Sequence, residues 1–342
     1  MELEFCSVEQ WLAAADRQIP CDIAPYQVQD AAGNVIRIVP FISDCAGLIV
    51  LGRDWIPVRD SGVALLEQMV HTPDIFLPKA VNVRTREGKY FADIKTLIDC
   101  PDDALLIGGS PNYYHWLIDN LPRLLLARKC CDIGALRIVV NKPLLRFQRE
   151  SLALLGITDA QLLAVANEEV IRPRRTTVPS MLAAATVVHP AVPALLQAAF
   201  PRRNKSTCAR VYLSRQDATT RQLTNEAELT ELLERFGFER YVPAELGFQE
   251  QIDLCYGAEA LVAVHGAAMT SLVFCPPAAQ VFEIFTPQNQ LTFMYMLSRL
   301  SKRKHHFVPA RNVTYGADGN PMNGSWAVDL AAMESALNMA LD

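Results

Sequence analysis

Two stretches of this chain alternate regularly between apolar runs and segments of helical period, with a polar, basic link between them. In the first stretch, ALLIG (104–108) reads as a strand, followed by a Gly109-Ser110-Pro111 turn and a helix near 112–129. LRIVVN (136–141) reads as a strand, LLRFQRESLALLG (144–156) as a helix ended by Gly156, and QLLAV (161–165) as a strand. The second stretch opens with a strand at ARVYLSR (209–215). Asn225 with Glu228 three residues on predicts a capping box for a helix ended by Gly237. FERYVP (238–243) predicts a strand, GFQEQIDLCYGA (247–258) a helix and ALVAV (260–264) a buried strand. A helix is expected after His265, a strand at AQVFEIF (279–285), a helix at NQLTFMYMLSRL (289–300) and a strand at HHFVP (305–309). Basic residues from Arg299 to Lys304 suit the carboxyl end of that helix. The turn-rich YGADGNPMNGS (315–325) precedes a tail that reads as a helix from Trp326.

Strands alternating with helices predict parallel sheets. The expected fold is α/β, with two Rossmann-like doubly wound domains facing across a cleft. The boundaries are 1–200, 201–315 and a C-terminal helical segment 316–342 that could pack back on the first domain. The link spans 189–209, where PAVPALLQAAF makes a short helix opened by Pro190 and Pro193 and PRRNKSTCAR follows. In the first hundred residues GLIVLG (47–52) reads as a strand and VALLEQMV (63–70) as a short helix, with Pro57, Pro73 and Pro78 breaking the pattern. No G-x-G-x-x-G follows a strand and no P-loop occurs, so a dinucleotide reading lacks support.

Length and composition agree with two globular cores: 342 residues, 51% hydrophobic and 20% charged. The net charge of −5 argues against a general nucleic-acid binder while leaving room for a local basic pocket. Nine Cys, at 6, 21, 45, 100, 130, 131, 208, 255 and 275, form no C-x-x-C pair and are odd in number. That is the usage of a reducing compartment. MELEFCSVEQW lacks the basic and apolar regions of a signal peptide, and no apolar run reaches membrane-spanning length. A cytoplasmic protein is expected, with room for peripheral association on the inner face of the plasma membrane.

Candidate chemistry concentrates at strand ends. His265 falls at the carboxyl end of ALVAV, where open α/β sheets place ligands. Gly266 permits close backbone approach, and the amides of Ala267 and Ala268 would open a helix suited to an anion such as a diphosphate. A histidine that merely caps a helix fits the same residues. In NYYHWLIDNLPRLLLAR (112–128), Asn112, His115, Asp119 and Arg123 fall within about 80° of a helical projection. His115 and Asp119, one turn apart, are close enough to hydrogen-bond and to shift each other's protonation. Tyr113, Tyr114 and Trp116 beside them suit sugar or base rings, though a solvated helix face is the plain alternative. Pro122 removes a donor to the Ile118 carbonyl and predicts a kink or restart. Ser214, Arg215 and Arg221 in LSRQDATTRQLTNE (213–226) offer fixed charge and many donors to a diphosphate. Glu250 near a helix start suits the dipole alone, whereas Glu283 among apolar strand residues predicts a ligand or an Arg partner. His305 and His306 are adjacent on a strand and point to opposite faces, which disfavours a metal. Arg172, Arg174 and Arg175, like Arg202, Arg203 and Lys205, read as solvated charge runs that could also favour an anionic membrane surface or an acidic polymer.

The ordered set NYYHWLIDNLPRL, FQRESLALLGI and VYLSR…R…NEAEL…GFERYVPAELGFQEQIDLCYGAEALVAVHGAAMTSLVFCPPAAQVFEIF, over roughly 100–290, resembles the family 61 glycosyltransferases. That group includes bacterial capsular polysaccharide biosynthesis proteins, and its eukaryotic members transfer xylose or N-acetylglucosamine. The resemblance implies a GT-B fold, donor binding mainly by the C-terminal domain, inversion at the anomeric carbon, no required metal and no cofactor. The family's HGAG-like motif stands here as His265-Gly266-Ala267-Ala268, with Ala in place of the second Gly, and its S-R pair and following Arg match Ser214, Arg215 and Arg221. The expected partners are a nucleotide sugar, UDP-linked by preference, and a glycan or lipid-linked glycan acceptor, in capsule or other surface polysaccharide synthesis. Inverting transfer needs a base, assigned to Asp119 or His115 with the other orienting it, and a neutralised diphosphate. Asn112, Tyr113, Tyr114, Trp116 and Arg123 fall on the acceptor side, and Glu250 or Glu283 at the ribose or donor sugar. The alternatives are a non-catalytic nucleotide-sugar or glycan binding subunit of an assembly complex, and a nucleotide-sugar epimerase of the same fold.

Overall fold

A computed structural model describes residues 1–29, 33, 35–51, 56–65, 83–184, 187–204, 208–286, 292–317 and 319–341. The chain divides into two compact units, Met1–Ala199 and Phe200–Asp342. The architecture is mixed α/β.

In the second unit the strands run Glu239–Tyr241, Arg210–Leu213, Ala260–Val264, Gln280–Phe285 and Lys304–Asn312 across the sheet, all parallel. In chain order that is 2-1-3-4-5, one of the doubly wound orders. All of Ala260–Val264 is buried, as a strand covered on both faces requires, so its apolar run needs no alternation. The order reverses between the first and third strands, and a ligand crevice lies beyond the carboxyl ends at such a switch. Those ends carry Ser214-Arg215 and His265-Gly266.

The first unit carries a parallel core in the order Leu162–Val165, Arg137–Asn141, Leu97–Leu106 and Val170–Pro179. That core is 3-2-1-4 in chain order, and its switch lies between Leu97–Leu106 and Val170–Pro179. The doubly wound expectation needs correction here. Val170–Pro179 pairs antiparallel with Ile42–Ala46 and Ile49–Leu51, and further strands from the first hundred residues extend a mixed sheet. Arg172, Arg174 and Arg175, read as a solvated run, lie within this strand and pair with Asp60, Asp103 and Asp44. Three arginines and two prolines interrupt its apolar run, which hid it from pattern reading.

Several local expectations also change. Val63–Leu65 is a strand where VALLEQMV suggested a helix, and residues 66–70 lie outside the described residues, as do Pro73, Pro78 and Lys205. Asn225 makes no capping bond. Its amide instead holds the tail, Nδ2 donating to the Val328 carbonyl at 3.0 Å and Oδ1 accepting from the Val328 N–H at 3.0 Å. The tail opens with the strand Trp326–Val328, antiparallel to Lys304–Asn312, before the helix Leu330–Leu341. Met333 and Leu337 of that helix belong to the second unit's core with Leu229, Val262 and Val308, so the tail is part of the second unit. All nine cysteines are free thiols. Among the described residues no helix is long and apolar enough to cross a membrane.

Candidate functional site

The first half-site is built on the strand Leu97–Leu106 and the segment that follows it. Gly108 adopts φ +88°, and a Cβ there would lie 2.2 Å from Asn120 Nδ2, so both the backbone and the space demand glycine. Asn120 Oδ1 accepts from the Ser110 N–H at 3.1 Å, and Gln148 Nε2 donates to the Ser110 carbonyl at 3.0 Å. Two buried amides therefore pin the loop between strand and helix. Asn112 caps the helix, accepting from the N–H groups of Tyr114 and His115. The backbone then widens into a π-type turn, Trp116–Asn120, where the Leu121 N–H reaches the Trp116 carbonyl. A helix resumes at Leu121–Cys130, with Pro122 in its first turn. The restart expected at Pro122 thus takes the form of one inserted residue, a feature found often at functional sites.

The widened turn leaves His115 and Asp119 in contact, Nδ1 to Oδ2 at 2.6 Å. Asp119 is an acceptor, so Nδ1 carries the proton and Nε2 is the basic ring nitrogen. The His115 side chain is 21% exposed and that of Asp119 5%. Arg123 is fully buried, its Nε donating to the Pro179 carbonyl at 3.1 Å, so it ties the helix to the neighbouring strand across the switch. Burial pulls this guanidinium down to about 9, opposed by the charge of Asp119, and it remains a cation at neutral pH. Burial and Asp119 together push the Tyr114 hydroxyl well above its ordinary range.

The second half-site lies at the switch of the second sheet. Arg215 directs Nε and an Nη at the Thr220 carbonyl, at 3.3 and 3.0 Å. The other Nη fills the place of a side chain on Gly266, where a Cβ would stand 2.2 Å away. Gly266 is extended (φ 169°), so packing against Arg215 accounts for the glycine. Arg221 holds φ +57°, unusual for a side-chain-bearing residue, with its N–H on the Gly324 carbonyl at 2.7 Å and an Nη on the His265 carbonyl at 3.0 Å. Its Nε is buried without a partner among the described residues. Burial, then the charge of Arg215, pulls the Arg221 guanidinium down to about 10, and burial also lowers Arg215 against the pull of Asp217. These arginines direct their hydrogen bonds mainly at backbone carbonyls and form no ion pair among the described residues. Ala267–Phe274 is a 3₁₀ helix rather than an α-helix, and its first amides lack intrahelical partners.

His265 Nδ1 hydrogen-bonds Glu283 Oε1, and His305 Nε2 lies 2.8 Å from Glu283 Oε2. Burial would push the Glu283 carboxyl up, but hydrogen bonds and charge from both histidines outweigh it and hold the carboxyl below its ordinary value. His306 turns to the other face, stacking on Phe282 with centroids 4.7 Å apart.

Five expected contacts change on this geometry, the first being Arg123, which is fully buried against the Pro179 carbonyl and does not border an acceptor. Trp116 is fully buried, its indole donating to Ser151 Oγ at 2.9 Å, and packs in the core instead of facing a sugar. Ser214 donates to Glu226 Oε1 at 2.5 Å and accepts from the Gln216 N–H at 3.1 Å, so it shapes the loop. Glu250 accepts from the Gly247 N–H at 2.6 Å and serves as a helix cap. Glu283 has both oxygens engaged and is 1% exposed, so it reaches a ligand only through His265. Asn120, Gln148 and Glu226 were missed. Only the strand-to-helix position of Asn120 and Glu226 marks them, since nothing in spacing tells a buried amide or carboxylate from a surface one. Away from both half-sites, Cys21, Asp22 and Cys130 bring ligand atoms within 4.8 Å of one another, but the Lys129 ammonium already pairs with Asp22 at 2.9 Å.

Comparison with known proteins meets this geometry on the same residues. Residues 113–282, from the His115 helix to the Glu283 strand, match the family described as Glycosyltransferase 61. A stretch of 101 residues is 34% identical to protein O-linked-mannose beta-1,4-N-acetylglucosaminyltransferase 2 of Takifugu rubripes, covering 28% of this chain and 17% of that protein. The chain belongs to the glycosyltransferase 61 family.

Proposed function

We propose that the protein transfers a sugar from a nucleotide-sugar donor to a glycan hydroxyl, with inversion and without a metal, on a GT-B-like pair of domains. The observation that carries this reading is the placement of two arginines, without an ion pair among the described residues, at one topological switch point and of an imidazole–carboxylate pair at the other. Arg215, Arg221 and the amides after His265 would hold the diphosphate and take up the negative charge that develops as it leaves, the role a divalent cation plays elsewhere. A UDP-sugar is the favoured donor.

His115 is the base in this reading and Asp119 its orienting group. Exposure supports this choice: the carboxylate is nearly buried and committed to Nδ1, whereas the ring is partly exposed and keeps the lone pair of Nε2. Nε2 takes the proton of the acceptor hydroxyl as the new glycosidic bond forms, and the bond from the anomeric carbon to the diphosphate breaks with its electron pair leaving on the diphosphate. Asp119 stabilises the imidazolium that results. Arg123 balances the buried carboxylate, and Asn112, Tyr113 and Tyr114 border the acceptor. The relative from Takifugu rubripes, named for transfer of N-acetylglucosamine to O-linked mannose, suits a sugar hydroxyl as acceptor. Surface polysaccharide synthesis, in capsule or another glycan, is the proposed setting, with the enzyme in the cytoplasm and peripheral to the membrane.

The test is a panel of UDP-, GDP-, CMP- and TDP-sugars in a thermal-shift assay, followed by transfer to glycan acceptors with the donor that binds. Stabilisation by one nucleotide class and acceptor-dependent release of its diphosphate are expected. Binding with no turnover on any acceptor would favour the non-catalytic subunit instead.

A further inference from the structure

A chain of buried polar groups runs behind His265. Glu283, on the strand Gln280–Phe285, gives Oε1 to His265 Nδ1 and Oε2 to His305 Nε2. His305, on Lys304–Asn312, faces Ser298 Oγ through Nδ1 at 2.9 Å, and Ser298 lies on the helix Phe293–Leu300. The side chains of Glu283 and His305 are each 1% exposed, and Ser298 is fully buried. Tyr295 and Phe307 flank the His305 ring, at 5.6 and 4.6 Å between centroids. Bulk water does not reach these groups, and the contacts they make are with one another.

Hydrogen-bond chemistry then fixes the direction of the two contacts to Glu283. A carboxylate only accepts, so both ring nitrogens that face Glu283 carry protons. Nδ1 of His305 faces the Ser298 hydroxyl, which can donate to a neutral ring or accept from a protonated one. On the other side, Nδ1 of His265 is committed to Glu283, so Nε2 is the ring nitrogen left for another partner. Other charged groups nearby are Arg221, which donates to the His265 carbonyl, Arg215 against Gly266, and Lys304 beside His305. His306 looks away toward Phe282 and Gln280.

We propose that His305, backed by Ser298, is a positioning residue that holds Glu283 as an anion aimed at Nδ1 of His265, so that His265 presents Nε2 to the donor diphosphate. The proposal rests on the donor-site reading above, and it assigns a task to a histidine outside the family-matched residues 113–282. A plain core contact would be served as well by an apolar ring at 305. A positioning contact would not, because Glu283 Oε2 would lose its donor and the proton shared with His265 would shift toward the carboxylate.

The test compares His305→Leu, His305→Gln and Ser298→Ala by steady-state kinetics and by imidazole ¹⁵N NMR of His265. His305→Leu is expected to raise the donor KM about tenfold, the size of one lost charge-assisted hydrogen bond, with kcat little changed. The His265 ring signals should shift with it. His305→Gln restores an N–H toward Glu283 and should recover most of the loss, while Ser298→Ala shifts both readouts in the same direction by less. Should His305→Leu fail to fold, the other two variants carry the test. The proposal is overturned if these variants lower the melting temperature alone, leaving donor KM and the His265 signals as in the wild type. A wild-type protein that binds no nucleotide sugar would refute the donor reading, and the NMR comparison would still judge the positioning role by itself.

Discussion

The two imidazole–carboxylate pairs have similar chemistry but different surroundings. His115 and Asp119 sit one turn apart on a single helical segment, with the imidazole partly open to solvent. His265 and Glu283 come from a loop and a strand, lie almost wholly buried, and have a second histidine behind them. The open pair can exchange a proton with a ligand and with water, as a general base must. The closed pair has no route for its proton, and suits holding a charge and a geometry still. Burial, rather than residue type, is what distinguishes the two pairs, and it is the reason the proposed base is placed at the first and the proposed donor contact at the second.

The comparison breaks most directly at Asp119. Asp119→Asn replaces an obligate acceptor with an amide and frees the wrong ring nitrogen of His115, so turnover should fall by about 10²–10⁴-fold while nucleotide affinity holds. Equal losses in turnover and affinity would place Asp119 at the donor instead. In the second half-site, Arg215→Ala should cost about 10²-fold or more in kcat/KM with nucleotide binding weakened. Gly266→Ala should follow it, since the added Cβ displaces the same guanidinium. An alanine at 266 with unchanged kinetics would show that Arg215 does not need that space.

A pH series sharpens the contrast. The Glu283 carboxyl is held below its ordinary value in the folded protein. Its contribution to stability is therefore complete above the unfolded carboxylate range and fades as pH falls through the folded value. Glu283→Gln should lower the melting temperature most near neutral pH, and the gap to wild type should close on acidification. A gap that widens in acid would mean that the carboxyl is raised instead.

Gly108→Ala should cost about 1–3 kcal/mol in stability, measured by denaturant unfolding, because the left-handed backbone and Asn120 both oppose a side chain. The smallest effect is expected at Glu250, where Glu250→Ala should cost about 0.5–1 kcal/mol of stability as a lost cap and leave the donor KM unchanged. A raised KM would restore its role at the ribose.

Much of the second unit was legible because its strands are short apolar runs between glycines and helix starts, as at ALVAV before His265-Gly266. The position of His265 at a strand end, and the neighbourhood of Arg215 and Arg221, followed from that pattern. The first unit was harder to read. Its central strand carries Arg172, Arg174 and Arg175, whose acid partners come from distant segments, and local periodicity does not register such pairing. His115 and Asp119 were found as a helical pair, yet a projection at fixed pitch does not foresee the π-type turn between them. Trp116 and Ser214 show the same limit at single residues: each has a ligand-like side chain whose polar atom is claimed by a partner far along the chain or across the loop.

The proposed mechanism divides the labour, with the donor gripped in the second unit and the proton taken in the first. Titration calorimetry of the nucleoside diphosphate of the favoured donor, run on wild type, Asp119→Asn and Arg215→Ala alongside a transfer assay, tests it directly. Asp119→Asn is expected to bind the diphosphate as wild type does while its transfer falls by about 10²–10⁴-fold, and Arg215→Ala is expected to lose the binding. Wild-type turnover in Asp119→Asn, or undiminished diphosphate binding in Arg215→Ala, would contradict it.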